Sequence, residues 1–268
     1  MFSWVENNGV RYLKIDEFSE LGVNAYFTSR IGGVSEGSYS SLNLALHTED
    51  KKENVLINRM IIAEVLGINA NDFVVAEQVH GNKVYIVNEI DKGAGARNHK
   101  NSISGVDAMI TADKGIPLLS FYADCVPLFF YAADKKVIAL AHAGWKGSIN
   151  KIAQKTIIKM KERYDIDYNK LWVALGPSIS RDYYQVNDYV VDKLKVGFNN
   201  WREFIIDRGK GQYLLDLWQL NISLIEELCV PSRQIILSNY CSYKDNEYFY
   251  SYRKENSKTG RMASIIYI

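Results

Sequence analysis

Residues 117–147 read PLLSFYADCVPLFFYAADKKVIALAHAGWKG. Three apolar runs follow one another in this stretch, over 117–123, 126–131 and 137–141, each of strand length and with no room for a helix between them. A parallel doubly wound sheet requires strand and helix to alternate, and here they do not. Working outward, further strand-like runs occupy residues 23–29, 73–79, 84–88, 171–175, 234–237, 248–253 and 264–267. The reading is an α+β fold with mixed β-sheets in the core and helices packed on the outside. No repeat, low-complexity tract or linker divides the chain, so residues 1–268 are expected to form a single domain. The polar, glycine-bearing stretch 91–105 reads as a surface loop between two strands.

Three helices carry end signals. Asp50 and Glu53 form a capping-box pattern ahead of Leu56, Met60 and Ala63, with Gly67 as the stop. Ser148 is placed to cap a second helix with an apolar face of Ile149, Ile152, Ala153, Thr156, Ile157 and Met160. Asp216 with Gln219 opens a third, presenting Leu217, Leu220, Leu224 and Leu228.

Composition narrows the functional classes. Of 268 residues, 47% are apolar and 24% charged, which excludes a disordered chain. Lys plus Arg (32) balances Asp plus Glu (31), so bulk charge gives no reason to expect a nucleic-acid partner. The apolar stretch 116–133 is broken by Asp124 and two prolines and is a poor membrane span. The first residues lack the basic-then-apolar pattern of a signal peptide. Three cysteines, Cys125, Cys229 and Cys241, are too few and too scattered for a secreted disulfide scaffold, so a reducing, cytoplasmic setting is expected. The oligomeric state is open, a monomer being admissible.

Chemistry has few places to sit. There are four histidines, His47, His80, His99 and His142. His80 and His142 each end an apolar strand and are followed within two residues by glycine, which puts imidazole at a sheet edge where a ligand can approach. Cys125 follows Asp124 inside apolar company, where a carboxylate must be hydrogen-bonded, paired or metal-linked. Two imidazoles and a thiolate suit zinc with a fourth position open, yet the spacing of 45 and then 17 residues is no local zinc-finger pattern. On residue types alone the alternative stands beside it: two histidines bonded to backbone and an inert packed cysteine.

Further motifs lie in a fixed order. Thr28-Ser29-Arg30-Ile31-Gly32-Gly33-Val34-Ser35 precedes Ser41-Leu42-Asn43-Leu44 and His47. Glu77-Gln78-Val79-His80-Gly81, Gly105-Val106-Asp107-Ala108, Ala123-Asp124-Cys125-Val126-Pro127 and His142-Ala143-Gly144-Trp145-Lys146-Gly147 follow. Phe249-Tyr250-Ser251-Tyr252-Arg253 and Gly260-Arg261 close the series. Taken together, over residues 23–268, the chain resembles the laccase-domain family, also called polyphenol oxidase or YfiH/YlmD-like, whose members are understood as zinc-dependent purine nucleoside phosphorylases.

The resemblance implies zinc held by His80, Cys125 and His142, and purine nucleosides (adenosine, inosine, guanosine) cleaved by phosphate to base and ribose 1-phosphate. Adenosine deamination and methylthioadenosine phosphorolysis are further activities it implies. Ser178 stands where many relatives carry cysteine, and Lys146 where arginine is common. Zinc would act as a Lewis acid on the purine side or on water. Asp124 and Glu77 are the carboxylates nearest the ligands in sequence, Asp124 either as proton carrier or as the group orienting an imidazole. For phosphate, the candidates are Arg30 beside Gly32-Gly33, and Lys146 with the free N–H groups of a helix start at 144–148. His47 has either a pocket role or a structural one, His99 reads as solvated, and Cys229 and Cys241 read as packed thiols.

Three other readings compete. A copper-dependent polyphenol oxidase needs more imidazole than four histidines supply, although copper could substitute adventitiously at the His-Cys-His set. A cysteine hydrolase would use Cys125 as nucleophile and His142 as base. A non-enzymatic partner-binding protein has only the 18 tyrosines in its favour.

Overall fold

A computed structural model describes all 268 residues. Two six-stranded mixed sheets stack face to face, with helices on both outer faces, which bears out the α+β reading. The first sheet runs in the order Phe2–Asn7, Val10–Ile15, Asn24–Thr28, Met262–Tyr267, Leu118–Tyr122, Val74–Val75. The second runs Ile235–Leu237, Leu171–Leu175, Val126–Ala132, Val137–Ala143, Ala108–Thr111, Val84–Ile86. A separate three-stranded sheet is built from Gln185–Asn187, Gln212–Leu215 and Ile205–Gly209.

The two-residue period of strands explains the layers. In the strand Val126–Ala132, Val126, Leu128 and Phe130 meet the helices Ile152–Tyr164 and Leu217–Glu226 on one face. Phe129 and Tyr131 turn the other way and meet Phe27, Leu118 and Tyr122 of the first sheet. The outer face of the first sheet, including Leu119, Phe121 and Ile265, is covered by Ile62 and Ala63 of the helix Lys52–Val65. Both central strands of the second sheet are therefore apolar on both faces, and their sequences read as continuous hydrophobic runs. No helix is long and apolar enough to cross a membrane.

The quoted stretch behaves as read, with a change of sheet in its middle. Leu118–Tyr122 belongs to the first sheet and Val126–Ala132 to the second, so residues 123–125 carry the chain from one layer to the other. Asp124 makes that crossing at a φ of +89°.

Several expected elements differ. Asp50 does not cap the helix Lys52–Val65, because its carboxylate is taken by Ser35, Asn43 and the Lys51 N–H. Met60 faces outward at 55% exposure, and Asn58 and Arg59 occupy the buried face with Val55, Ile62 and Ala63. Ser148 is not a cap either: a short helix begins at Trp145, Ser148 lies buried inside it accepting from Asn221, and Lys151 at φ +62° breaks it from the helix Ile152–Tyr164. Asp216 does cap Leu217–Glu226, accepting the Gln219 N–H at 2.9 Å.

Residues 248–253 form turns rather than a strand, although Phe249 and Tyr250 are fully buried, because no neighbouring strand offers them a ladder. Of the run 73–79 only Val74–Val75 is strand. The hairpin joining the first two strands turns at Asn8-Gly9, both at positive φ, a two-residue turn signal that composition-based strand reading passed over.

Candidate metal centre

Strand pairing brings three distant side chains to one place. Val74–Val75 pairs in parallel with Leu118–Tyr122, with Val75 opposite Leu119, so five residues further along each chain His80 arrives beside the crossing at Asp124. Gln78 extends that pairing with its side chain, donating to the Phe121 carbonyl at 2.8 Å and accepting the Phe121 N–H at 2.7 Å. In the second sheet, Pro127 is opposite His142, which sets His142 beside the start of the strand that Cys125 precedes. The period of two turns His142 toward the layer between the sheets, on the side of Leu140 and Ile138.

The result is a cluster in which ligand atoms of His80, Cys125 and His142 all lie within 4.8 Å of one another. The two imidazole rings are 4.7 Å apart and nearly perpendicular. His142 is buried, Cys125 half-buried, and His80 open to solvent.

Asp107 organises this centre. Its fully buried carboxylate accepts the His142 Nδ1–H at 2.9 Å and the backbone N–H groups of Val79, His80 and Gly81 at 3.2, 2.9 and 2.6 Å. Three successive N–H groups turned onto one anion form a nest, and this one holds His80 at a φ of +58°, an uncommon conformation for a side-chain-bearing residue. Burial pushes the Asp107 carboxyl up, but the hydrogen bond and charge of His142 and the N–H donors outweigh it and hold the group below the ordinary carboxylate range. With Nδ1 committed to Asp107, His142 has Nε2 free as a ligand atom.

Burial likewise opposes ionisation of the Cys125 thiol, yet hydrogen bonds and charge from His142 and His80 bring it below its usual value. Burial would lower the His142 imidazole, and the charges of Cys125 and Asp107 raise it instead. The thiol is therefore set to be a thiolate, the form that binds metal. Space for an ion is kept by Gly144: a Cβ there would stand 2.9 Å from Cys125 Sγ and 3.1 Å from His80 Cδ2. Two imidazoles, a thiolate and an orienting carboxylate fit zinc, and the same donors accept copper.

The cluster lies in the wall of a cleft of about 540 Å³. Trp145, Tyr184, Tyr252 and Phe121 provide its flat apolar faces, and His47, Gln78, Arg253 and Arg261 its polar groups.

The other sequence-derived candidates fall in different places. Asp124 lines the cleft but touches neither imidazole. One carboxylate oxygen accepts from Ser242 at 2.7 Å and the other from the Arg253 N–H at 2.7 Å, so the group that orients the imidazole is Asp107. Burial raises the Asp124 carboxyl against those two bonds. Arg30 is not brought to the cleft. Its guanidinium sits over the Tyr250 ring, bonds the carbonyls of Ser40 and Asn246, and pairs with Glu255 at 2.9 Å. Glu255 in turn holds the Ser251 N–H and the Thr259 hydroxyl, so Arg30 braces the 251–259 loop from behind.

Lys146 is exposed, with its Nζ over Trp145 at the cleft margin. Glu77 is fixed to Ser104 and the Gly105 N–H. His47 does line the cleft, and His99 is not simply solvated, since its ring packs 5.4 Å from that of His47. Cys241 is packed as expected, accepting from Ser180, while Cys229 is exposed because it closes a helix at φ +61°.

Asp107, Gln78, Arg253 and Arg261 all stand in the motifs quoted above without a role read for them. A carboxylate following Gly105-Val106 was a visible signal, but its partner depends on the register that sets Ala108 opposite Ala141.

Comparison with known proteins agrees with this architecture. Residues 24–268 match the family model described as "Multi-copper polyphenol oxidoreductase laccase". Purine nucleoside phosphorylase YlmD of Bacillus subtilis (strain 168) is 36% identical over 244 residues, covering 91% of this chain and 88% of its own. The protein of the same name from Geobacillus stearothermophilus is 36% identical over 250 residues, covering 91% and 90%. Among solved structures, the Bacillus licheniformis hypothetical protein YfiH superposes with a TM-score of 0.94 at 31% identity, covering 100% of this chain and 98% of that one.

Proposed function

The chain belongs to the laccase-like YfiH/YlmD family, and on that premise we propose that it is a purine nucleoside phosphorylase whose single domain spans residues 1–268. The observation that carries the reading is the placement of His80, Cys125 and His142 in the wall of a cleft that also holds aromatic faces and two arginines. The names of the B. subtilis and G. stearothermophilus relatives support it. Adenosine, inosine and guanosine are its proposed substrates, with methylthioadenosine phosphorolysis and adenosine deamination at the same centre.

His80, Cys125 and His142 would hold zinc, which would supply Lewis-acid chemistry to the bound nucleoside. The rest falls to the chain. Tyr184, Trp145 and Tyr252 offer stacking faces for a purine, each stack contributing about 1–3 kcal/mol. Arg253 and Arg261 neutralise phosphate. In phosphorolysis an oxygen of HPO₄²⁻ bonds to C1′ as the C1′–N9 bond breaks. The electron pair leaves on N9, and the proton that phosphate brought ends on the free purine. Asp107 fixes both histidines throughout, and Asp124 ties the segment bearing Arg253 to the crossing. Three unpaired cysteines support a reducing, cytoplasmic setting.

Product chromatography after incubating the zinc-loaded protein with adenosine or inosine tests the proposal. Free base and ribose 1-phosphate should form only with phosphate, and inosine should form from adenosine with or without it. No conversion by protein carrying a full equivalent of zinc refutes both activities.

A second reading, a cysteine hydrolase, is favoured by one observation: the Cys125 thiol lies within 4.8 Å of ring nitrogens of both His142 and His80. The copper oxidase reading has the family description on its side, but His80, Cys125 and His142 are the sole metal-competent cluster, and His47 with His99 adds no third ligand. Copper in protein prepared without added metal, together with phenol oxidation, would displace the zinc reading.

A further inference from the structure

Arg261 differs from the other shielded arginines. Arg59 is buried away from the cleft and spends Nε and Nη1 on the carbonyls of Leu44, Gly95 and Ala96, and Arg30 spends Nε and Nη1 on the carbonyls of Ser40 and Asn246 and on Glu255. Arg261 spends only Nη1, on the carbonyls of Thr259 and Gly260, and no carboxylate pairs with it. Its Nε and Nη2 groups have no protein acceptor, although the side chain is largely shielded from water. A guanidinium so placed lacks a countercharge, and an anion with paired oxygens matches its fork.

The residue is also rigidly set. Its backbone N–H is held by Asn43 at 2.9 Å, and its guanidinium carbon lies 5.4 Å from the centroid of the Tyr252 ring. The preceding Gly260 cannot carry a side chain, because a Cβ would stand 2.6 Å from the Tyr250 ring.

Arg261 and His47 line two spaces at once: the metal cleft and an adjoining polar cavity of about 350 Å³. That cavity adds Ser257 and Lys258, whose side chains make no close internal hydrogen bond, and the exposed Glu49, which lies 3.8 Å from Lys258. The His47 ring has no hydrogen-bond partner, so its N–H is available to an anion. The site thus offers two cations and a neutral donor, against the one carboxylate of Glu49, around a space that shares Arg261 and His47 with the metal cleft.

We propose that the junction formed by Arg261, His47, Ser257 and Lys258 is the subsite for the phosphate co-substrate, with Arg261 as its bidentate anchor. The assignment rests on the phosphorylase reading above. It replaces Arg30 and Lys146, which residue types alone suggested. A nucleoside 5′-phosphate presents the same phosphoryl chemistry, so the test includes one.

The test compares wild type with Arg261→Gln and Arg261→Lys, each zinc-loaded and checked by thermal unfolding. Steady-state kinetics in phosphate and in inosine are combined with calorimetric titration of inorganic phosphate. The expected result is a phosphate KM at least about tenfold higher in Arg261→Gln, an inosine KM within about threefold of wild type, and partial recovery in Arg261→Lys. His47→Gln should shift phosphate KM in the same direction by less, and serves if Arg261→Gln fails to fold.

Phosphorolysis with an unchanged phosphate KM in Arg261→Gln overturns the subsite and leaves the proposed function standing. Wild type that binds phosphate through Arg261 but cleaves no nucleoside keeps the subsite and removes the phosphorylase reading. Loss confined to cleavage or binding of adenosine 5′-phosphate assigns the junction to a nucleotide and overturns it as a co-substrate site. Absence of phosphate binding in wild type overturns it outright.

Discussion

Asp107 and His142 are joined by a 2.9 Å hydrogen bond from Nδ1–H to Oδ1, and the same carboxylate gathers the main chain around His80. One buried acid therefore fixes two of the three candidate ligand positions, although it lies 27 residues from one and 35 from the other along the chain.

Replacing that carboxylate by an amide tests its role. Asp107→Asn should lower zinc affinity by roughly 10–100-fold, because the amide cannot accept from all four donors at once. Competition against a chromophoric chelator measures this, and affinity equal to wild type would show that the orienting bonds are dispensable.

Gly144→Ala tests the space between the ligands. The added methyl would meet Cys125 Sγ at 2.9 Å and His80 Cδ2 at 3.1 Å. Zinc content should fall well below one equivalent, with a stability loss of about 1–3 kcal/mol for the forced shift. Full metal occupancy in the variant would mean that the ligands have room to retreat.

Chelation should change thiol reactivity selectively. Cys229 is exposed and Cys241 is buried, so in a Cys229→Ser background alkylation should be slow with zinc bound and accelerate after chelation, at Cys125. Labelling that is rapid and indifferent to chelator would favour the cysteine hydrolase.

His47 gives a pH signature. The enclosing protein, then Arg261, His99 and Arg59, hold its pKa far below the ordinary histidine value. As pH falls below about 6.5 the unfolded chain takes up a proton that the folded protein refuses. Stability contributed by neutral His47 is therefore present above that pH and lost below it. Denaturant unfolding from about pH 7 to 4.5 should show a shallower fall for His47→Gln than for wild type. Parallel profiles would place the His47 pKa near its unfolded value.

How far each element could be read follows from the range of the forces that shape it. The strands 171–175 and 137–141, and the helix face Ile152, Ala153, Thr156, Ile157 and Met160, are local periodicities and appear where expected. The Asp50 and Ser148 caps fail because Ser35, Asn43 and Asn221, distant in sequence, claim those side chains first. The run 248–253 has strand-like composition but becomes turns, since its aromatics fill the core without a pairing partner.

The sequence by itself determined the layer type, because alternation and continuous apolar runs are properties of neighbouring residues. It also supplied the ligand chemistry, because imidazole and thiolate are properties of the residues themselves. Only the tertiary structure decided that Asp107 rather than Asp124 orients His142, and that Arg261 rather than Arg30 faces the cleft with donors to spare. Those outcomes depend on sheet register and on which acceptor reaches each charged group first, and neither is encoded in local spacing.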